Sequence, residues 1–133
     1  MVKSRLQKAK RLLDVQRSLQ RLEEERVAGL KGRQSDLAAK QEEVVGALSE
    51  DEGLQGLFTH VIVRRLKSLG EETVRVTEEL ERRSKSLLTL AARRKHAERL
   101  VRAYQQQHSR AVADKELIDA IERILHVDDA SLP

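Results

Sequence analysis

The chain of 133 residues contains no cysteine and no tryptophan, one phenylalanine, one tyrosine and a single proline, Pro133. Without cysteine there is no disulfide framework, no thiolate metal site and no cysteine nucleophile, and nothing argues for an oxidising compartment. Aromatics make up only 2% of the residues, whereas a compact globule of this length normally buries several rings and is punctuated by turns. No apolar run exceeds three residues, which excludes a transmembrane helix. The start, MVKSRLQKAKRLL, is basic throughout and lacks an apolar stretch long enough for a secretory signal, so the chain reads as cytoplasmic. Glycine-rich phosphate loops, GxSxG elbows and HExxH pairs are absent too.

The residues that are present belong to long helices. Charged residues reach 36%, but 26 basic groups nearly balance 22 acidic ones, and 39% of the chain is hydrophobic. Disordered chains usually carry less apolar surface and a less balanced charge. From Ile62 to Ile118 a three-four alternation of apolar positions runs for eight heptads. One set is Ile62, Leu69, Val76, Arg83, Leu90, Ala97, Tyr104, Ala111 and Ile118, and the other is Leu66, Thr73, Leu80, Leu87, Arg94, Val101, His108 and Lys115. Twelve of these seventeen positions are apolar, and a seven-residue repeat sustained this long stays in line only on a helix that supercoils around a partner.

A second stripe precedes it, through Leu12, Val15, Leu19 and Leu22, then displaced to Val27, Leu30, Leu37, Val44 and Leu48. The displacement reads as a stutter near Gly29 and Gly32, each of which costs about 1 kcal/mol of helix propensity relative to alanine. Between the stripes, GALSEDEGLQGLF holds most of the turn residues, and Ser49 with Glu52 has the spacing of a capping box. These patterns predict an all-α fold: two long helices in one antiparallel coiled-coil hairpin, the second longer than the first. The expected bounds are about 4–48 for helix 1, 46–53 for the turn, 50–126 for helix 2 and 127–133 for a flexible tail. Pairing Leu22 with Leu80, Val15 with Leu87 and Leu12 with Leu90 would set Met1 opposite Val101. Helix 2 would then overhang from 102 onward by roughly 37 Å. An apolar stripe of that length calls for a partner, either another protein or a second copy of this chain.

Chemistry of an enzymatic kind finds no foothold. His60, His96, His108 and His126 lie too far apart for metal-ligand pairs, so neither a metal nor a cofactor is expected. The carboxylate clusters read as solvated helix faces, with intrahelical pairs such as Glu78 with Arg82 and Glu81 with Lys85. Charge is more informative. Residues 1–21 hold seven basic groups against Asp14, and residues 82–110 hold nine against Glu98. The expected register lays these segments side by side, and like charge on both helices suits an acidic partner surface. Arg83 and Arg94 sit on the seam, where a guanidinium either snorkels outward, reaches a carboxylate across the pair, or opens the coil locally toward a partner.

Two heptad-patterned strings, RLLDVQRSLQRLEEERVAGL at 11–30 and LAARRKHAERLVRAYQQQHSRA at 90–111, lie in a short chain with a basic start, one helical hairpin and a longer second helix. On these it resembles the flagellar export protein FliJ family and its counterparts in virulence type III secretion. The resemblance implies a non-enzymatic stalk inserted in the ring of the export ATPase, in contact with export-gate components and substrate chaperones, cytoplasmic and peripheral to a membrane-embedded apparatus. It assigns no contact residues. From the charge pattern, Lys8, Lys10, Arg11, Arg93, Arg94, Lys95, Arg99 and Arg102 are the expected electrostatic contacts, with Tyr104, Ile118, Ile121 and Leu125 as apolar anchors. Two alternatives remain open. One is a basic coiled coil that binds nucleic acid, against which the scarcity of stacking aromatics counts. The other is a structural rod that self-associates through the helix 2 overhang.

Overall fold

A computed structural model describes residues 1–131 of the chain. Two α-helices, α1 (Val2–Gly53) and α2 (Thr59–Ser131), account for nearly all of them, and they pack as an antiparallel pair with the second helix the longer. No described helix is long and apolar enough to cross a membrane.

Both helix bounds at the connection lie later in the chain than expected. Helix α1 continues to Gly53 rather than to about 48, α2 starts at Thr59 rather than at about 50, and the turn is 54–58 rather than 46–53. Glycine 46 lies inside α1, and Ser49 returns its hydroxyl to the Val45 carbonyl at 3.5 Å instead of opening a capping box. Residues 127–131, expected as a flexible tail, continue α2, and 132–133 lie outside the described residues. The β-branched run Val61 to Val63 is helical as well. Ile62 is half-buried as the first packed position of α2, and tertiary packing of this kind overrides a weak propensity.

The turn is built around Asp51. The amide of Gly56 donates to the Asp51 carbonyl at 2.9 Å and that of Gln55 to the Glu52 carbonyl at 3.3 Å, which together form a Schellman motif. Gln55 therefore stands in the left-handed region (φ 64°), and Gly56 follows it there (φ 72°). A side chain in that region costs about 1–2 kcal/mol, so the two hydrogen bonds hold Gln55 against its own preference. The carboxylate of Asp51 then crosses to the start of α2, accepting from the Phe58 amide at 2.8 Å and the Thr59 hydroxyl at 2.6 Å. One residue thus closes α1 with its backbone and caps α2 with its side chain. Negative charge at the N-terminus of α2 also complements the helix dipole. Asp51 is 2% exposed, so it has no water to fall back on.

On α2 every position of the expected seam from Ile62 to His108 is buried or half-buried, with a few neighbours such as Glu72, Ala91 and Leu100 half-buried beside it. On α1 they differ. The packed series is Val2, Leu6, Ala9, Leu13, Gln16, Gln20, Glu23, Val27, Leu30, Gln34, Leu37, Gln41, Val44, Leu48 and Asp51. Its spacing alternates three and four throughout, so there is no stutter. Leu12, Val15, Leu19 and Leu22, expected in the seam, stand one residue before it and are 41–53% exposed. Gly29 and Gly32 neither bend the chain nor admit a close approach, because nothing lies within 4 Å of where their Cβ atoms would be.

The packing divides into two units, Leu19–Ala91 around the turn and Met1–Ser18 with α2 from Ala92 onward. In the first of these, Leu37, Leu69 and Val76 form the buried core, with Leu30 and Val44 packed against it. Gln41 donates to the Thr73 hydroxyl at 3.3 Å and Gln34 to the Thr77 hydroxyl at 3.2 Å, which pins the register. Leu22 is therefore not paired with Leu80: Gln34, twelve residues farther along α1, already meets Thr77. In the other unit, Leu6, Ala9, Leu13 and Ala97 are buried, and an ion pair of 3.9 Å joins Arg17 to Glu98. Packed positions on α1 reach back to Val2, and those on α2 run on to His108 before ten exposed residues or more, so the overhang begins after His108 and not after Val101.

Candidate interaction surfaces

Within the unit formed by residues 1–18 and α2 from Ala92, both helices are basic where they pack. Lys3, Arg5, Lys8, Lys10, Arg11 and Arg17 face a single acid on α1, Asp14, and between Ala92 and Arg110 α2 has six basic residues against Glu98. Glu98 is shared: it accepts from Arg94 at 2.7 Å and lies 3.9 Å from Arg17. One carboxylate thus answers a guanidinium on each helix, and the remaining cations face outward. Lys8, Lys10, Arg11, Arg93, Lys95, Arg99 and Arg102 are all exposed. Arg94 is half-buried and turned along its own helix to Glu98, so of the eight expected electrostatic contacts it is the one that serves the fold.

Arg83, the other seam arginine, does not snorkel. Its Nη1 reaches both carboxylate oxygens of Glu23 on α1 at 3.4 Å, and Arg26 approaches the same carboxylate at 3.7 Å. Glu23 is 5% exposed and is tolerated there because two guanidinium groups surround it. Neither seam arginine marks an opening of the coil. Farther toward the turn, Arg33 pairs with Glu72 and holds its carboxyl below the usual glutamate range, mainly through the hydrogen bond. On the α2 surface Lys85 pairs with Glu81 at 3.4 Å as expected, whereas no ion pair joins Glu78 to Arg82 among the described residues.

The four expected apolar anchors separate. Tyr104 is half-buried in the packed series of α2 rather than exposed. Ile118, Ile121 and Leu125 are exposed, and Leu117 and Ile124 join them on the same side of the helix, all 47–61% exposed. From Ser109 to Asp128 the overhang carries Arg110, Lys115 and Arg123 against Asp114, Glu116, Asp119, Glu122 and Asp128, a net of minus two.

No group of three or more histidine, aspartate or glutamate side chains could hold a metal ion among the described residues. His60 accepts from Arg64 at 2.9 Å, one turn away on α2. No family model matches this chain, and neither a curated protein nor a solved structure matches it. The surfaces that remain are thus a basic flank, an acidic apolar overhang and the stripe Leu12, Val15, Leu19 and Leu22. That stripe was legible as heptad spacing but was assigned to the wrong face. Asp51 and Glu23, the two buried carboxylates, escaped notice because they sit at heptad positions where an apolar residue is the ordinary expectation.

Proposed function

We propose that this chain is a non-enzymatic helical component that binds an acidic protein surface through its basic flank, in the manner the resemblance to the export stalk family implies. The supporting observation is the imbalance around Glu98. In the unit formed by residues 1–18 and α2 from Ala92, two packed helices present cations along both backbones, with one carboxylate between them. Folding such a pair costs repulsion that an acidic partner removes. In the proposed setting the partners are the export ATPase ring and export-gate components.

The exposed cations Arg93, Lys95 and Arg99 are the residues to test, since Arg94 is held by Glu98. The variant with all three changed to glutamate should lose capture of the export ATPase while keeping its helical circular dichroism. Capture that survives at physiological salt would remove the electrostatic reading. A mobility shift of duplex DNA or RNA with steep salt dependence would move the assignment to nucleic acid.

A further inference from the structure

Past His108, α2 carries an apolar stripe that α1 does not cover. At about 100° per residue, Ile121 lies at the centre of that stripe, with Leu117 and Ile124 to one side of it and Ile118 and Leu125 to the other. All five belong to the unit formed by residues 1–18 and α2 from Ala92. Charge borders the stripe on one side only. Lys115 and Glu122, one heptad apart, stand beside Ile118 and Leu125, whereas Ala113 and Ala120 stand beside Leu117 and Ile124. Neither Lys115 nor Glu122 has an ion-pair partner among the described residues.

These positions distinguish the ways in which two such helices can pair. In an antiparallel pair the numbers of facing residues have a constant sum. Setting Ile118 against Ile121 of a second copy makes that sum 239. The same register brings Leu117 beside Ile124 of the second copy and Lys115 beside its Glu122, and each contact occurs twice. A shift of one heptad either way opposes Lys115 to Lys115 or Glu122 to Glu122. A parallel pair opposes Asp114 to Asp114, whereas the antiparallel one leaves Asp114 at the rim beside Leu125, in reach of water.

The length of the helix agrees independently. With that sum, Ser131, where α2 ends, stands level with His108 of the second copy, where its packed positions end. Two overhangs therefore overlap over their whole extent, about 35 Å, without meeting α1 of either copy.

We infer that this chain forms a homodimer by antiparallel pairing of its overhangs, with the two-fold axis passing between Asp119 and Ala120. Such an isologous contact uses one stripe on both copies, and the charged border fixes its direction and register. The cations Arg93, Lys95 and Arg99 lie outside it, so capture of an acidic partner and dimerisation are separable.

The test is sedimentation of the full chain at micromolar concentrations and low salt, with helical circular dichroism as the control for folding. The wild type should sediment as a dimer. Ile121→Glu, at an exposed position, should weaken association about tenfold or more. Lys115→Glu and Glu122→Lys, each alone, should weaken it about fivefold by setting like charges side by side. The chain carrying both should recover the association of wild type. A monomeric wild type would overturn the pairing, as would an Ile121→Glu variant that dimerises like wild type. Single charge variants that associate like wild type, or a double variant no better than either of them, would overturn the antiparallel register.

Discussion

Helix α1 treats two of its stretches in opposite ways. From Val27 to Leu48 it buries an apolar series, Val27, Leu30, Leu37, Val44 and Leu48, interrupted by Gln34 and Gln41. From Leu12 to Glu23 it turns Leu12, Val15, Leu19 and Leu22 to water and packs Gln16, Gln20 and Glu23 instead. Taken alone, the second stretch loses by this choice, since each of these leucines, left about two-fifths exposed, forgoes part of the about 1.5–3 kcal/mol that full burial contributes. The phase of a coiled coil is shared along the helix, however. Leu6, Ala9 and Leu13 on one side and Val27, Leu30 and Leu37 on the other lie on one uninterrupted three-four series. Bringing Leu12 to Leu22 inward would need a slip at each end, with the backbone locally unwound twice. The flanks decide, and the middle accepts a polar layer that Arg83 and Arg26 make tolerable.

The contrast should appear first in truncations. Leu37→Ala, in the buried core with Leu69 and Val76, should cost about 2–4 kcal/mol of stability by chemical denaturation. Leu19→Ala, measured where the chain is monomeric, should stay within about 0.5 kcal/mol of wild type. Equal losses would mean that both faces are packed. Next comes the turn, which sets the phase of the well-packed stretch. Asp51→Ala removes acceptors from the Phe58 amide and the Thr59 hydroxyl, and its expected cost of about 2 kcal/mol would appear as a lower denaturation midpoint.

Smaller gains should come from relieving the polar layer. The Oε1 atom of Gln16 is buried without a hydrogen-bond partner, so Gln16→Leu should stabilise by about 1 kcal/mol, read as a higher melting temperature. Gly29→Ala and Gly32→Ala should each add about 0.5–1 kcal/mol, because both glycines are helical with open space at the missing Cβ. A stutter or a close helix approach at these glycines would reverse that sign. The smallest effect belongs to Arg33 and Glu72. The carboxyl of Glu72 titrates lower in the folded chain than its ordinary value, so the pair contributes stability above the usual glutamate range. That contribution is lost as pH falls through the lowered folded value. Wild type and Arg33→Ala should therefore differ in midpoint at neutral pH and converge in acid.

The α2 half of the hairpin was readable from its residues because leucine, valine and alanine fill most of its heptad positions, while the apolar residues one step away, Val63, Val74 and Leu88, are too scattered to form a rival stripe. The α1 half was not, for a local reason. Between residues 12 and 23 the more apolar stripe is the exposed one, so hydrophobicity alone selects the wrong face. Stepping the Val27, Leu30 and Leu37 phase backward would have arrived at Leu13, Ala9 and Leu6, a signal weaker than the four residues beside it. That error shifted the register and with it the start of the overhang. Tyr104 then passed for a free anchor. The turn was misplaced because Ser49 and Glu52 mimic a capping box, while the working cap, Asp51, acts across a loop on residues seven and eight positions later.

Composition and period by themselves determined two long helices, their antiparallel arrangement and the identity of the α2 seam, since these follow from residue spacing and the absence of breaking residues. The tertiary structure alone decided which face of α1 is covered, where the pairing stops and which carboxylates are buried. Those outcomes depend on how one helix phase is held by the other over its whole length. A local window cannot see that constraint, because every position in the window can be satisfied separately by a different rotation of the helix.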